Sequence, residues 1–502
     1  MYKVLFKSGD MKQAKNYRPI CALPVLYKLF AILLYARLQP KLEVQLQKDQ
    51  AGFRKQFSTV DHIHALSQVQ EKTREWQIEI WACFLDFQKA FDSVEHKAIW
   101  EALARQGIDK DYIELLKRLY ANQLGKIKVV SQTSRIFGIG RGTKQGDPLS
   151  TLLFNAVLED IFRDVRDKWQ ARKFGIEMSE GAERHLSSLC FADDVLLLAA
   201  SIKDLKEMMN DLMQAAAKRG LEAHDEKTSV LTSAAGTRPR QIPEHLTIGT
   251  RRFKVLGPSG TIKWLGRKVS FQDPHECELS NRIAAAWGAF SKHKSELTSK
   301  MYRLKDRLRL FEAVVTSTIL YGCEAWTLNI CQQRRMRTVQ RKMLRTILNA
   351  RRKRIEGTSS RHSQSEDNEQ EEEEDGDILE PWTEFLRRTT RWTEEQLQKA
   401  GQCEWLETWR KRQWRWAAKL ATKDVDKWSA ISTRWQPLIH TRGLRGRAQA
   451  RPRKRWDQDI VDYISQETPG ETVSWQTLAL DEVSWRNHLE HFVKFTCSGQ
   501  HG

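Results

Sequence analysis

Three aspartates stand out by where the chain puts them. Asp86 lies near the end of an apolar run, residues 78–87 (IEIWACFLDF). Asp193 and Asp194 sit between two apolar runs in residues 187–200 (SSLCFADDVLLLAA), over a hundred positions later. Carboxylates at the ends of apolar strands are costly to desolvate unless they are paired or bound to metal. If the two strands lie side by side in one sheet, the three groups converge, repel one another and invite hard divalent cations. Two such ions roughly 3.5–4 Å apart can activate a hydroxyl and stabilise a phosphoryl leaving group. An Asp-Asp turn also serves purely structural ends, so FADD by itself leaves both readings open.

The elements that must position these acids follow from periodicity. Residues 78–87 read as a buried strand, and residues 187–200 as a hairpin with Asp at its turn. Residues 94–106 read as an amphipathic helix ending at Gly107, and residues 202–218 as a helix closed by Gly220. Residues 276–300 and 303–350 are mostly helical in pattern. The expected class is α+β, followed by an α-rich region.

The chain has 502 residues, with 83 Lys+Arg against 64 Asp+Glu and a net charge of +19. That length suits two to four domains. A hydrophobic content of 40% excludes wholesale disorder. The positive excess favours a polyanionic partner, most simply nucleic acid. The eight cysteines are scattered without a CxxC, so neither a zinc ribbon nor a redox motif is written here. Several lie in apolar runs, as reduced buried thiols do, which suits an intracellular compartment. The longest apolar stretch, residues 20–36, is interrupted by Pro24 and Lys28 and is too short to span a bilayer.

Charge is uneven along the chain. Residues 331–355 hold ten Lys/Arg and no acid, whereas residues 356–381 hold eleven acids and one Arg. The Ser/Glu/Gln-rich stretch reads as a disordered linker. The C-terminal part beyond it contains 11 of the 18 tryptophans, interleaved with Arg and Lys.

The ordered set of motifs resembles the reverse transcriptases of non-LTR (LINE-like) retrotransposons. LFKSGD at 5–10, NYRPICALPVLYKLFAILLYARL at 16–38 and QAGFRKQFSTVDHI at 50–63 look like the family's fingers blocks. FLDFQKAFDSV at 84–94, RGTKQGDPLSTLLFN at 141–155 and FADD at 191–194 resemble its palm motifs. GLEAHDEKTSV at 220–230 and IKWLGRKVS at 262–270 match the two motifs that follow. ILYGCEAWTL at 319–328 and RPRKRWDQDI at 451–460 resemble segments found after the polymerase in LINE-like elements. The polymerase resemblance covers roughly the first 270 residues.

That resemblance implies a right-hand polymerase. Fingers and palm are expected over 1–270, a helical thumb or connection over 271–355, an acidic disordered linker over 356–380, and a small α-rich basic domain over 381–502. It implies that Asp86 and Asp193 bridge two Mg²⁺ ions, with Mn²⁺ as a substitute, that Asp194 stands beside them, and that the carbonyl of Phe87 completes a metal shell. Phe91 is expected under the sugar, where it would exclude a 2′-hydroxyl; it also suits an ordinary apolar helix position. Gln145 and Gly146 are expected on the nascent base pair. Arg18 and Arg54 are candidates to clamp the triphosphate, or else surface charges of the fingers. Lys227 holds the position of a general acid for pyrophosphate, and equally suits a solvated lysine. Asp92 reads as a helix-start residue and Asp147 as a turn residue before Pro148, not as metal ligands.

The chain departs from the family pattern in places. His224-Asp225 replaces an Asn-containing pair, and Glu482 stands where ALDEVSWR more often has Arg. The chain begins inside the fingers, where family members carry an endonuclease and an N-terminal extension, and has no C-terminal zinc knuckle. A truncated element copy or partial gene is therefore expected.

The expected activity is RNA-directed DNA synthesis, with an RNA template, a DNA primer and dNTPs as partners and the nucleus as setting. The alternative is an inactive retroelement remnant that only binds nucleic acid. A group II intron maturase fits less well, since no HNH-type metal motif is present. Phosphate contacts are expected from Arg334, Arg335, Arg341, Lys342, Arg345 and Arg351, and from Arg453, Lys454 and Arg455. The spacing of Trp405, Trp409, Trp414 and Trp416 suits a helix core better than stacking on bases.

Overall fold

The computed structural model describes residues 2–6, 9–129, 132–178, 185–234, 242–355, 378–423, 425–437, 453–469 and 473–498. The acidic stretch 356–377 and most of the basic cluster 442–455 lie outside them. By contacts the chain forms two compact units: Met1–Cys277 with Lys419–Trp456, and Glu278–Ala418 with Asp457–Gly502. The C-terminal part 381–502 therefore contributes to both units.

The first unit opens with strands β1 (Tyr2–Phe6) and β2 (Tyr17–Cys21), which pair antiparallel. Helix α1 (Val25–Glu43) and helix α2 (Thr59–Glu75) follow. A reciprocal box of Ser58 and Asp61 fixes the start of α2. Strand β3 (Trp81–Leu85) is buried on both faces, as its unbroken apolar run requires. Helices α3 (Ala90–Ser93), α4 (His96–Arg105) and α5 (Lys110–Tyr120) come next. The helix expected from residue 94 starts at His96 instead. Val94 and Glu95 are taken by tertiary pairing: the Val94 carbonyl accepts from Gly142 N–H at 2.7 Å, and Glu95 bridges Arg141.

Helix α6 (Pro148–Ala171) is the long helix of this unit. Asp147 caps it by accepting from Leu149 N–H at 3.0 Å, and Pro148 supplies a first-turn residue that needs no donor. The expected hairpin is strand β4 (Ser188–Phe191) and strand β5 (Asp194–Ala199). Helix α7 (Ile202–Ala217) is capped by Ser201, and strands β6 (Ser229–Thr232), β7 (His245–Ile248) and β8 (Arg251–Leu256) complete the main sheet. The order is β4-β5-β3-β6-β8-β7, antiparallel except for the parallel pair β6 and β8. The sheet, α1 and α4 to α7 share one apolar core. On α6 itself, buried Asp160 accepts from Arg219 at 2.8 Å and from Arg105 at 2.5 Å.

The second unit is helical. It includes α8 (Leu304–Phe311), α9 (Ile330–Ile347), α10 (Trp382–Lys399) and most of α11 (Trp405–Thr422). Later in the chain α12 (Trp428–Arg434) packs on α2 within the first unit. Helices α13 (Gln458–Glu467), α14 (Glu482–Asn487) and α15 (Leu489–Ser498) belong to the second. Trp405, Trp409, Trp414 and Trp416 are all buried, and Trp414 stacks on Trp485 at 3.8 Å. They are helix core, as their spacing suggested.

None of the eight cysteines forms a disulfide. Among the described residues no helix is long and apolar enough to cross a membrane.

Candidate active site

The site grows from the pairing of β3 with β5. Their register runs from Ala199↔Trp81 to Val195↔Leu85. One further step along it sets Asp194 opposite Asp86. Asp193 stands beside Asp194 in the two-residue turn that joins Phe191 to its partner Asp194. Two acids remote in sequence are thus brought to neighbouring strand ends by ordinary antiparallel pairing.

Asp86 is half-buried. Its amide points to Thr228 Oγ1 at 3.3 Å, its carbonyl accepts from His224 N–H at 2.7 Å, and its Oδ2 accepts from Lys227 Nζ at 3.1 Å. Phe87 is buried and bridges Ala223. Among the described residues no three His, Cys, Asp or Glu side chains are grouped closely enough to share a metal ion. Asp86 also holds the ammonium of Lys227. The donors still fit a hard cation. They are carboxylate and carbonyl oxygens on adjacent strand ends, and one already holds a positive charge.

The turn that carries Asp193 is strained and held. Ala192 has φ +56°, a left-handed conformation that costs a residue with a Cβ on the order of 1 kcal/mol or more. Its N–H donates to Gln50 Oε1 at 2.9 Å, and the same oxygen accepts from Gly52 N–H at 2.7 Å. A Cβ on Gly52 would stand 2.2 Å from the Ala192 nitrogen, so only glycine fits there. The loop is fixed from behind, where Asn155 donates to the Gly52 carbonyl at 2.8 Å. The strand β4 is the sheet's edge, and residues 49–51 pair along it. Cys190 N–H donates to the Asp49 carbonyl at 2.7 Å, and Ala51 N–H to the Cys190 carbonyl at 2.9 Å. Sequence reasoning singled out Arg54 in this block and passed over Gln50 and Gly52. The signal was present: a glycine flanked by apolar residues in a short polar loop invites close backbone approach.

The other expected residues fall as follows. Phe91 is half-buried, stacked on Phe154 at 4.4 Å and edge-on to Phe53 at 6.2 Å. Gln145 Nε2 donates to Asp92 at 3.2 and 3.3 Å, and Asp92 is pushed above its usual carboxylate range by burial. Gly146, at φ +103°, lies against the end of β2; a Cβ there would meet the Cys21 carbonyl oxygen at 2.9 Å. Gln145 C=O also accepts from Cys21 N–H at 2.7 Å, so β2 and the 145–146 loop are joined. Arg18 is exposed on that strand.

Arg54 is engaged elsewhere. Its Nε donates to Glu43 at 2.7 Å and its Nη1 to the carbonyls of Gln47 and Gln50. These bonds fasten the loop before α2. Asp147 serves as helix cap and also accepts from Tyr27 O–H at 2.6 Å.

Of the expected phosphate contacts, Arg334, Arg335, Lys342 and Arg351 are exposed, the first three on α9. Arg341 is bound to Glu394 at 2.7 Å and Glu404 at 3.2 Å, and Arg345 is half-buried. In the first unit Arg453, Lys454 and Arg455 are exposed, with Arg455 paired to Glu75 at 2.6 Å.

The family described as reverse transcriptase (RNA-dependent DNA polymerase) matches residues 7–269. The chain is 32% identical over 323 residues to a Pol polyprotein from the type-1 retrotransposable element R2 of Popillia japonica, covering 63% of this chain and 43% of that one. It is 30% identical over 216 residues to the corresponding R2 polyprotein of Nasonia vitripennis, covering 41% and 20%. The chain thus spans less than half the length of these relatives. Among solved structures, apo telomerase from Candida tropicalis superposes with a TM-score of 0.38 and 12% identity, covering 67% of this chain and 56% of that one. A family match over more than half of the chain, spanning both aspartate-bearing strands, makes this protein a member of the reverse transcriptase family, with that family's right-hand polymerase fold.

Proposed function

We propose that the chain is an RNA-directed DNA polymerase of a LINE-like retrotransposon, extending a DNA primer on an RNA template with dNTPs. The observation that carries this reading is the β3–β5 register, which continues to Asp194 opposite Asp86 with Asp193 next to it. The primer 3′-hydroxyl attacks the α-phosphate of the dNTP, and pyrophosphate leaves. Asp86, Asp193, Asp194 and the Phe87 carbonyl would hold two Mg²⁺ ions, or Mn²⁺ in their place. When bound, such ions supply activation of the hydroxyl and charge neutralisation at the leaving group.

The chain's own residues do the rest. Lys227, now on Asp86, would carry a proton or positive charge toward the leaving pyrophosphate. Phe91, wedged between Phe154 and Phe53, offers a fixed ring beneath the incoming sugar. Gln145, held by Asp92, and Gly146 present a close-approach surface for the new base pair. Arg18 is the guanidinium of the fingers strand free to face phosphate. Arg334, Arg335 and Lys342 in one unit, and Arg453 in the other, would neutralise backbone phosphates without reading sequence. A nuclear setting belongs to the same reading.

The test is direct. Purified chain is given a labelled DNA primer on an RNA template, four dNTPs and Mg²⁺. Extension supports the enzyme; tight binding without extension supports a remnant that only binds nucleic acid.

A further inference from the structure

The helix α2 has a polar sequence and a buried body. Asp61, His62, His64, Ser67, Gln68 and Gln70 are each no more than 5% exposed. What covers much of this helix is a segment from more than 350 positions later in the chain. Ser429 Oγ and Lys427 both approach Asp61 Oδ1, at 3.4 and 3.6 Å. Lys427 also lies over the Phe57 ring at 4.2 Å. Lys72 donates to the carbonyls of Ser432 at 2.7 Å and Thr433 at 2.6 Å, and to that of Trp435. His64 Nε2 bonds Thr433 Oγ1 at 2.8 Å. Asp61, His64 and Lys72 on one side are matched by polar groups on the other, which lowers the cost of so polar a contact.

The segment reaches past α2. Trp428 donates its indole N–H to Asp49 Oδ1 at 2.6 Å, and Lys48 sits over the same ring at 4.2 Å. Asp49 in turn grips the first strand of the aspartate hairpin twice. Its Oδ2 accepts from Ser188 Oγ at 3.1 Å, and its carbonyl accepts from Cys190 N–H at 2.7 Å. His62 closes the same corner, with Nε2 at 2.9 Å from the carbonyls of both Asp49 and Cys190. Cys190 is three residues before Asp193. Asp49 is thus the junction between the edge of the sheet and a distant part of the chain.

We propose that the segment 427–435 braces the aspartate hairpin through Asp49, with Trp428 as its positioning residue. The brace sets where Asp193 and Asp194 stand; it touches neither substrate nor metal. Its meaning for catalysis rests on the polymerase reading, but its mechanical content does not. The bond from Trp428 ends on a carboxylate, and charge-assisted bonds of this kind are the stronger class. Losing it frees one arm of Asp49 and loosens the outer edge of the hairpin, while the centre of the sheet keeps all its ladder bonds.

The experiment is amide hydrogen exchange on the full chain, without metal or nucleic acid, comparing wild type with Trp428→Phe. Phenylalanine keeps an aromatic ring under Lys48 and removes the donor, together with the volume by which an indole exceeds a phenyl ring at this buried position. Exchange at Cys190 and Ala192 is expected to quicken on the order of tenfold, while Val230 and Leu231 in β6 stay unchanged. Ser188→Ala, which cuts the next link, should loosen the same amides. In parallel, Trp428→Phe should raise the Mg²⁺ concentration for half-maximal primer extension severalfold and leave primer–template affinity unaltered. Unchanged exchange at the hairpin overturns the brace, and so does an equal rise across β3, β5 and β6, which would mean general loosening. If the hairpin amides respond but the wild type extends no primer, the brace stands and the polymerase reading falls.

Discussion

Gly52→Ala tests the placement of the hairpin by a single methyl group. The added Cβ would stand 2.2 Å from the backbone nitrogen of Ala192, where ordinary contact begins at 3.4 Å. Something must therefore move by about 1 Å. The loop cannot easily yield, because Asn155 holds the Gly52 carbonyl and Gln50 Oε1 holds its amide. The hairpin is the softer side. It lies at the sheet edge, and Ala192 is already at φ +56°. The neighbour that moves is the residue before Asp193, so the displacement passes to the carboxylates. A misplacement of about 1 Å in a reacting constellation costs roughly a hundredfold in rate. The overpacking itself costs about 1–3 kcal/mol of stability. The assay is single-turnover primer extension at saturating dNTP and Mg²⁺, with a thermal melt alongside. The expected result is a rate down by about a hundredfold in a protein that still melts cooperatively. A folded Gly52→Ala protein that extends within threefold of wild type would refute the reasoning.

Three further outcomes follow from the packing and charge. Arg219→Ala removes the buried partner of Asp160 and leaves the more exposed Arg105 beside it. A loss of about 3 kcal/mol is expected in urea unfolding, which Arg219→Lys should not restore because the guanidinium is bidentate; a loss under 1 kcal/mol would count against the pair. Burial holds His64 neutral, with its pKa pushed down to about 3, and Lys72 and Arg267 add to the shift. Below pH 6.5 the unfolded chain takes up a proton that the fold refuses, so stability is full above that pH and falls as pH drops toward 3, by up to about 1.4 kcal/mol per pH unit for this group. Urea midpoints between pH 7.5 and 4.5 should show the fall, and His64→Gln should make it shallower without removing it, because burial lowers His62 and His275 in the same direction; a slope that His64→Gln leaves unaltered would contradict the assignment. Neutralising Arg334, Arg335 and Lys342 together should shallow the slope of log binding constant against log salt by about 2–3; an unaltered slope would remove α9 from the phosphate contacts.

Local signals in the sequence were read well where they did not depend on distant partners. The hairpin at 188–199 and the buried strand at 81–85 are visible as apolar runs, because burial on both faces writes itself into composition. The tryptophans at 405–416 are helix core for the same reason. What stayed hidden involves chain segments far apart. Helix α2 looks solvated until α12 is seen on it, since hydrogen bonding rather than apolar matching makes that contact. Val94 and Glu95 carry helical periodicity but are drawn off by Gly142 and Arg141. Arg54 has the charge of a phosphate clamp, and only the structure reveals that Glu43 and two carbonyls occupy it. At the site, the types of Asp86, Asp193 and Asp194 were legible, whereas the parts that hold them, Asp49, Gln50 and Gly52, act largely through backbone groups and close approach.

The most direct measurement is primer extension on an RNA template by the wild-type chain beside Asp86→Asn and Asp193→Asn, with primer–template binding measured on the same preparations. The account predicts dNTP- and Mg²⁺-dependent extension by the wild type, loss of at least about a thousandfold, on the order of 4 kcal/mol of barrier, in each variant, and unchanged binding. Extension by either variant at the wild-type rate would contradict it.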